Sequence, residues 1–257
     1  MSERFNQRLR ALRSGGCLTF TLAEAQNLFG MTSSAFADAS QMAIRRQALF
    51  KPRQGLYVIP SHRDGPLRAP PMQDIIDDIM THDRAPYYVG LLSAAKAHGA
   101  RVPAGTPFQV VSSKILRSFR LSAQHVEFFH RKNMPPLDML QRRRGDVAQL
   151  RLSSALLTAV DLLRYRRHMA SHDLVRTMLG EMAGCMDVAE VPLLLGFTPV
   201  SVLQRLGYFL DLAGAKQLAD TIAERIDGAS RPTGLGPVGH TSKAKPALER
   251  RWQLFSQ

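Results

Sequence analysis

The sequence has only two cysteines and no long apolar run, and both shortages limit what the protein can be. Cys17 and Cys185 lie far apart, so two free thiols in a reducing cytosol are expected rather than a disulfide framework. No segment approaches the ~20 apolar residues that a membrane-spanning helix needs, and the N-terminal sequence MSERFNQRLRALRSGG lacks the apolar core of a signal peptide. We therefore expect a cytoplasmic protein without a membrane partner.

Motifs for metal binding and catalysis are also missing. The pairs His125/His130 and His168/His172 have no matching cysteines, so no metal site is expected. The sequence contains no Asp/Glu-x-Lys triplet, Gly-x-Ser-x-Gly elbow, Walker loop or His-Glu-x-x-His motif. Residues 234–239 fit Gly-x-Gly-x-x-Gly formally, but no predicted strand precedes them and a proline interrupts them. We therefore expect no catalytic residues, no cofactor and no enzymatic activity.

Acidic residues are too few to balance the basic ones. The 21 Asp and Glu against 34 Lys and Arg leave a formal net charge of +13. Such an excess favours a polyanionic partner. Aromatic platforms for stacking single strands are poorly represented, so double-stranded DNA is favoured over RNA. Hydrophobic residues make up 45% of the 257 residues, which is an ordinary globular balance and allows one or two domains.

Residues 18–60 have the pattern of a complete winged helix-turn-helix. Thr21 and Glu24 have the spacing of a capping box for a first helix, which stops at Gly30. The other elements are a second helix from Thr32 or Ser33 to about Gln47 and wing strands at Leu49–Phe50 and Leu56–Ile59 around a turn at 52–55. A short basic amphipathic helix is predicted before this unit, over 2–14. In such a unit the second helix enters the major groove of DNA, although a winged helix can also serve protein contact.

The predicted DNA contacts lie on the second helix and the wing. Gln41 can pair with adenine, and Arg45 with guanine or a phosphate. Basic residues at the helix end and on the wing would contact the DNA backbone. The predicted DNA-binding residues are Ser33, Ser34, Gln41, Arg45, Arg46, Lys51 and Arg53. Asp38 lies on the same outward face and would repel phosphate, so it fits only opposite a cytosine amino group or away from the DNA.

A segment rich in proline, glycine and arginine, Pro60–Pro71, is the predicted domain boundary. It separates a DNA-binding domain over 1–65 from a C-terminal domain over 72–257, in which 228–248 form a long loop. We therefore predict an α+β protein. A winged helix-turn-helix is followed by a larger, helix-rich α/β-type domain with a small sheet.

The C-terminal domain is predicted to begin with an acidic helix at Met72–Met80, whose Asp74, Asp77 and Asp78 are assigned to a solvated face. The sequence YYVGLLSAAKAHG predicts one helix, and the apolar periodicity of 150–168 predicts another. The remaining elements are strands at Phe108–Ser112 and Val126–Phe129, helices at about 171–184, 187–194, 199–213 and 215–226, and a terminal strand at Arg251–Phe255.

The order of motifs beyond residue 85 resembles the AbiEi family, the antitoxin components of type IV abortive-infection toxin–antitoxin systems. The motifs are YYVGLLSAAKAHG, FQVVSSK, VEFFHRKN, LRLSSALLTAVDLLRY and LQRLGYFLDLAG, and the RQGLYVIP wing also matches the family's arrangement. The resemblance runs from about Phe20 to Trp252. Its most specific elements are Ser93–Gly99, Thr158–Leu163 and Arg205–Tyr208.

The resemblance implies a two-domain regulator. The N-terminal domain would bind inverted repeats in its own promoter and repress it, with two copies on the DNA even if the protein is a monomer in solution. The C-terminal domain would counteract a nucleotidyltransferase toxin from the same operon without a stable complex. Two alternatives stay open: a nuclease with a winged-helix targeting domain, and a solo transcription factor that senses a ligand. Specific cleavage of DNA with Mg²⁺ or Mn²⁺ would favour the nuclease, and a nucleotidyltransferase gene immediately downstream would argue against the solo transcription factor.

The segment Lys114–Arg144 concentrates basic residues between and after two predicted strands. These residues could form a secondary basic patch that lengthens the DNA footprint or holds a nucleic-acid target of the toxin. A solvated basic loop explains them equally well. The residues are Lys114, Arg117, Arg120, Arg131, Lys132, Arg142, Arg143 and Arg144.

Overall fold

The computed structural model describes residues 3–60, 68–144, 149–166, 171–226, 231–234 and 247–256. Within these ranges, ten α-helices and three small sheets form a mixed α+β fold. The α+β fold class agrees with the prediction from the sequence. The chain divides into two compact units. The first consists of Met1–Tyr87, Ser112–His130 and Arg142–Arg151, and the second of Tyr88–Val111, Arg131–Gln141 and Leu152–Gln257.

The first unit begins with three helices and a small antiparallel sheet. The elements are α1 (Glu3–Ser14), β1 (Thr19–Thr21), α2 (Leu22–Phe29), α3 (Ser33–Arg45), β2 (Phe50–Arg53) and β3 (Leu56–Val58). The strand order is β1-β3-β2, with Phe20 opposite Tyr57 in the register of β1 and β3. Strand β1 was not predicted, because three residues before a helix cap give no periodicity to detect.

The helix ends follow the local signals in the sequence. The predicted capping box of α2 is confirmed: Thr21 accepts a hydrogen bond from the backbone of Glu24, whose side chain accepts one from the backbone of Thr21. Gly30 ends the helix with a left-handed φ of 61°, a conformation that costs glycine little. Thr32 caps α3, which ends at Arg45, two residues before the predicted end at Gln47.

Aromatic rings form the core beneath these elements. The rings of Phe20 and Tyr57 stack at 5.3 Å, and Phe36 of α3 meets Tyr57 edge-on at 5.2 Å. Phe5 of α1 stacks on Phe29 of α2 at 4.8 Å. Buried aromatic side chains of this size carry much of the hydrophobic stabilisation of a small unit, so α3 is held firmly against the sheet.

The acidic helix α4 (Met72–His82) is two residues longer than predicted and is not simply solvated. Asp74 is only 2% exposed, and Asp77 accepts a hydrogen bond from Tyr87 at 2.8 Å; Asp78 alone is exposed. The solvated-face prediction is therefore wrong for Asp74 and incomplete for Asp77. The reason is that α4 buries most of its circumference, including three consecutive residues at 74–76.

A six-stranded sheet has the order β6-β7-β5-β4-β9-β8. Its strands are β4 (Tyr87–Val89), β5 (Phe108–Ser112), β6 (Phe119–Leu121), β7 (Gln124–His130), β8 (Leu140–Arg144) and β9 (Gln149–Ser153). Strand β5 and the core of β7 are confirmed. The single helix predicted for YYVGLLSAAKAHG is wrong in its first part, because Tyr87–Val89 pair within the sheet and only α5 (Leu91–Ala97) is helical.

The prediction of a helix over 150–168 is likewise wrong at its start. Residues 149–153 form β9, and the helix α6 begins only at Ala155, where Ser154 caps it. Helix α6 (Ala155–Arg164) is buried on all sides from Ala155 to Leu163, so it is a central helix rather than an amphipathic one.

The remaining helices follow the predicted order. They are α7 (His172–Met182), α8 (Val191–Leu195), α9 (Val200–Leu212) and α10 (Lys216–Ala223). A last sheet has the order β10-β12-β11, from β10 (Thr233–Gly234), β11 (Ala247–Glu249) and β12 (Leu254–Ser256), and the predicted terminal strand is thus confirmed in part. Most of the predicted loop 228–248 and residues 61–67 of the predicted boundary lie outside the described residues.

Candidate functional site

Helix α3 buries one face and leaves the other in solvent. Phe36, Ala39 and Ala43 are buried against the aromatic core. The side chains of Ser34, Asp38, Gln41 and Arg45 are all exposed. Their spacing of four, three and four residues places them in one stripe along the helix. We call these four residues the α3 stripe.

The turn before the α3 stripe is fixed by side chains. Ser33 is exposed, and its hydroxyl accepts a hydrogen bond from Gln26 Nε2 at 2.6 Å, which ties the start of α3 to α2. Thr32 Oγ1 accepts from the backbone N–H of Ala35 at 3.4 Å. The first turn of α3 therefore has a defined position relative to α2.

Arg46 and Lys51, at the end of α3 and on the hairpin β2–β3, are exposed. The ammonium of Lys51 lies 5.7 Å from the ring centroid of Tyr57, so its stem rests on the core while its charge stays in solvent. Both side chains occupy positions from which a cation can reach an anionic partner.

The side chain of Arg53, in contrast, is held by contacts within the protein. Its guanidinium pairs with Asp83 at 2.8 Å and lies over the rings of Phe119 and Phe128 at 4.6 and 5.4 Å. The side chain is only 17% exposed. The predicted phosphate contact of Arg53 is therefore corrected: this residue fixes the hairpin β2–β3 against α4 and the hairpin β6–β7, all within the first unit.

One further contact holds the turn of the hairpin β2–β3. His82 at the end of α4 forms a hydrogen bond with the carbonyl oxygen of Gln54 at 2.9 Å. Lys114 does not touch the hairpin itself, but donates from Nζ to the carbonyl oxygen of Asp83, the partner of Arg53, at 3.0 Å.

Most described residues of the predicted secondary basic patch are exposed, and one is buried. Arg131 is 1% exposed, so the prediction of a surface contact is wrong for this residue. The side chains of Arg143 and Arg144 lie outside the described residues. The exposed members of the patch are Lys114, Arg117, Arg120, Lys132 and Arg142.

The buried Arg131 belongs to an ion pair in the second unit. Its Nη1 lies 2.6 Å from Asp161 Oδ1 on α6, and both side chains are at most 1% exposed. Tyr88 on β4 donates to Asp161 at 2.7 Å. Burial raises the pKa of Asp161 to about 6, against the opposing effects of Arg131 and Tyr88. The family-like motifs around Tyr88, Arg131 and Asp161 are therefore joined by one buried network.

Helix α9 carries the third specific motif, Arg205–Tyr208, and its residues hold the C-terminal segment. Arg205 donates to the carbonyl oxygens of Ser201 and Gly234 at 2.7 and 2.8 Å. Burial, followed by the nearby Arg166, lowers the pKa of Arg205 to about 10. A Cβ at Gly207 would overlap the ring of Trp252, so only glycine allows this ring to lie against α9.

These contacts give the motifs a structural role. Trp252 is 2% exposed and donates from Nε1 to Asp211 Oδ2 at 2.7 Å, one turn beyond Gly207. Sequence reasoning did not find the partners Asp161 and Trp252. For Asp161 the only signal was its membership in a family-like motif, and for Trp252 there was none, since no local pattern links residues so far apart in the chain.

The described part of the chain holds neither a metal-binding cluster nor a membrane-spanning helix. No group of three or more His, Cys, Asp or Glu side chains is arranged there to hold a metal ion. None of the helices described is long and apolar enough to cross a membrane.

Comparisons with known proteins relate the chain to a family and to a fold. The crystal structure of the RV2827C protein from Mycobacterium tuberculosis superimposes with a TM-score of 0.70 at 17% identity, covering 99% of this chain and 91% of that chain, and so shows the same fold. No curated protein matches the sequence. The family model of the AbiEi antitoxin C-terminal domain matches residues 88–212. Residues 88–212 are therefore similar to the C-terminal domain of AbiEi antitoxins, which confirms over this range the resemblance drawn from the sequence motifs.

Proposed function

We propose that the protein is a DNA-binding antitoxin of a type IV toxin–antitoxin system. In this proposal residues 1–65 are a winged helix-turn-helix that represses the protein's own operon. Residues 72–257 form the domain that counteracts a nucleotidyltransferase toxin. The antitoxin role rests on the family match over residues 88–212.

The α3 stripe is the observation that carries the DNA-binding part. A helix with a tightly packed inner face and an outer face of polar side chains, one of them basic and one acidic, has the form of a helix that reads base edges. Gln41 would contact adenine and Arg45 guanine or a phosphate, and Ser34, beside Ser33 at the start of the helix, would also face the bases in the major groove. The hairpin β2–β3 would be the wing.

Backbone affinity would come from exposed cations outside the α3 stripe. Arg46 and Lys51 are free to contact phosphates, and the exposed patch residues Arg117 and Arg120 belong to the same unit. Each phosphate contact steepens the fall of affinity with salt by about 0.9 in the log–log slope. Binding of this kind should therefore weaken strongly between low and physiological salt.

The partners follow from the same proposal. The DNA target is the promoter of the protein's own operon, with inverted repeats that accept two copies of a protein that can be a monomer in solution. The toxin partner acts in the same cell and is counteracted without a stable complex. No cofactor or metal takes part in either activity.

The DNA-binding part is tested by fluorescence anisotropy on a duplex from the region upstream of the gene and on a scrambled duplex. The Gln41→Ala/Arg45→Ala variant should lose at least about tenfold in preference for the promoter duplex, because each good base contact contributes about 1–3 kcal/mol of discrimination. The matched control is Gln7→Ala/Arg10→Ala, which removes the same exposed residue types from α1. Equal preference in wild type and in the α3 variant would remove α3 from its assigned role.

A further inference from the structure

Asp38 lies in the middle of the α3 stripe, with Ser34 one turn before it and Gln41 one turn after it. If α3 is inserted into the major groove as proposed above, this carboxylate faces the DNA, because it lies on the same face of the helix as the assigned base contacts.

No structural role accounts for a carboxylate at this position. Among the described residues no hydrogen bond or ion pair is made by Asp38, and the residues three and four positions away on α3 are uncharged. It is the sixth residue of the helix, beyond the first turn where a negative charge is stabilised by the helix dipole. The N-cap position is already filled by Thr32.

An unpaired carboxylate on a DNA-reading face lowers affinity for every duplex through repulsion by phosphates. The repulsion is offset only where the base edge offers a hydrogen-bond donor. In the major groove guanine and thymine present acceptors, adenine presents an acceptor beside its amino group, and cytosine presents the N4 amino group alone. A carboxylate therefore favours cytosine and disfavours the other three bases.

We propose that Asp38 is a specificity-determining residue that accepts a hydrogen bond from a cytosine N4 amino group in each half-site and suppresses binding to other sequences. The proposal rests on the DNA-binding function proposed above and names a base that the operator contains.

The test is selection of bound duplexes from a library with about 20 randomised base pairs, long enough for two half-sites, followed by sequencing. The full-length wild type should enrich cytosine at one position of each half-site. Asp38→Ala should lose the preference at that position only, and keep the others. Asp38→Asn should shift the preferred base from cytosine to adenine, which an amide side chain contacts through N6 and N7.

Binding measurements on one selected duplex and on one with that cytosine replaced give the magnitude. The Asp38→Ala variant should discriminate between the two roughly tenfold less than wild type. It should also bind a random duplex about threefold more tightly, because one repulsive charge near a phosphate is removed. Asp138→Ala, at an exposed carboxylate outside α3, changes the net charge equally and should leave the selected sequence unchanged.

An unchanged selected sequence in Asp38→Ala, with the same discrimination, overturns the inference while leaving the DNA-binding function intact. A wild-type protein that enriches no sequence overturns both, so the two failures are distinguishable. An Asp38→Ala variant that loses preference at all positions also contradicts the inference, because it would indicate that Asp38 maintains α3 rather than reads one base.

Discussion

Removing Arg131 should destabilise the second unit in a manner that depends on pH. The Arg131→Met variant leaves the carboxylate of Asp161 fully buried, with its ion-pair partner at 2.6 Å gone. Breaking a buried pair by deleting one partner costs about 3–5 kcal/mol of folding free energy. A protein of this size has a stability of about 5–15 kcal/mol, so the loss at neutral pH is large.

The sign of the pH effect follows from the pKa of Asp161. Burial raises this pKa to about 6 in the folded wild type, above the value of 3.8 for an exposed carboxyl group. A folded-state pKa above the unfolded one gives stability that is present at low pH and is lost as the pH rises through the folded pKa. Arg131 lowers the pKa of Asp161 in wild type, so its removal raises that pKa further. The pH range over which the folded protein loses stability then becomes wider.

Urea denaturation of the full chain at about pH 5 and about pH 7.5 measures the effect through the shift in midpoint. Arg131→Met should lose far more stability at the higher pH than at the lower one. The double variant Arg131→Met/Asp161→Leu should regain most of the loss, because neither buried charge remains. As a control, Arg101→Met removes an exposed pair with Glu181 and should change the midpoint little. An equal loss at both pH values, or a double variant worse than the single one, would refute the reasoning.

Two other substitutions test the packing and the helix ends. Gly207→Ala should destabilise the protein by about 1–3 kcal/mol, because the added Cβ overlaps the ring of Trp252. The single tryptophan reports the displacement directly as a red shift of its fluorescence, whereas Gly180→Ala, with its nearest neighbouring atom 3.9 Å away, should leave the emission unchanged. Thr21→Ala removes the N-cap of α2 and should lower the midpoint of urea unfolding by an amount equivalent to about 1 kcal/mol. An unchanged midpoint would mean that the capping box adds nothing measurable.

Elements with strong local signals could be predicted from the sequence. The capping box at Thr21 and the glycine at position 30 fix the ends of α2 through contacts within a few residues, and the structure has both. The sequence does not distinguish a strand from a helix at residues 87–89, because a short apolar run fits a strand and a buried helix equally well. Whether such a run forms a strand or a helix depends on pairing with a strand that is distant in the sequence. Hydrophobic periodicity carries no information about that pairing.

The exposed face of α3 was predictable to the extent that exposure follows helical spacing. The outward positions of Gln41 and Arg45 follow from the buried position of Phe36 and the helical period. Arg53 and Arg131 were misassigned for one reason. A basic residue in a basic segment gives no sign that a carboxylate far away in the sequence will pair with it, as Asp83 and Asp161 do.

Separation of the two proposed activities in cells tests the central claim most directly. Full-length wild type and Gln41→Ala/Arg45→Ala are each expressed with the nucleotidyltransferase toxin of the same operon and with a reporter under the operon's promoter. The account predicts that both proteins restore growth and that only the wild type represses the reporter. Failure of the wild type to restore growth, or full repression by the α3 variant, would contradict the account.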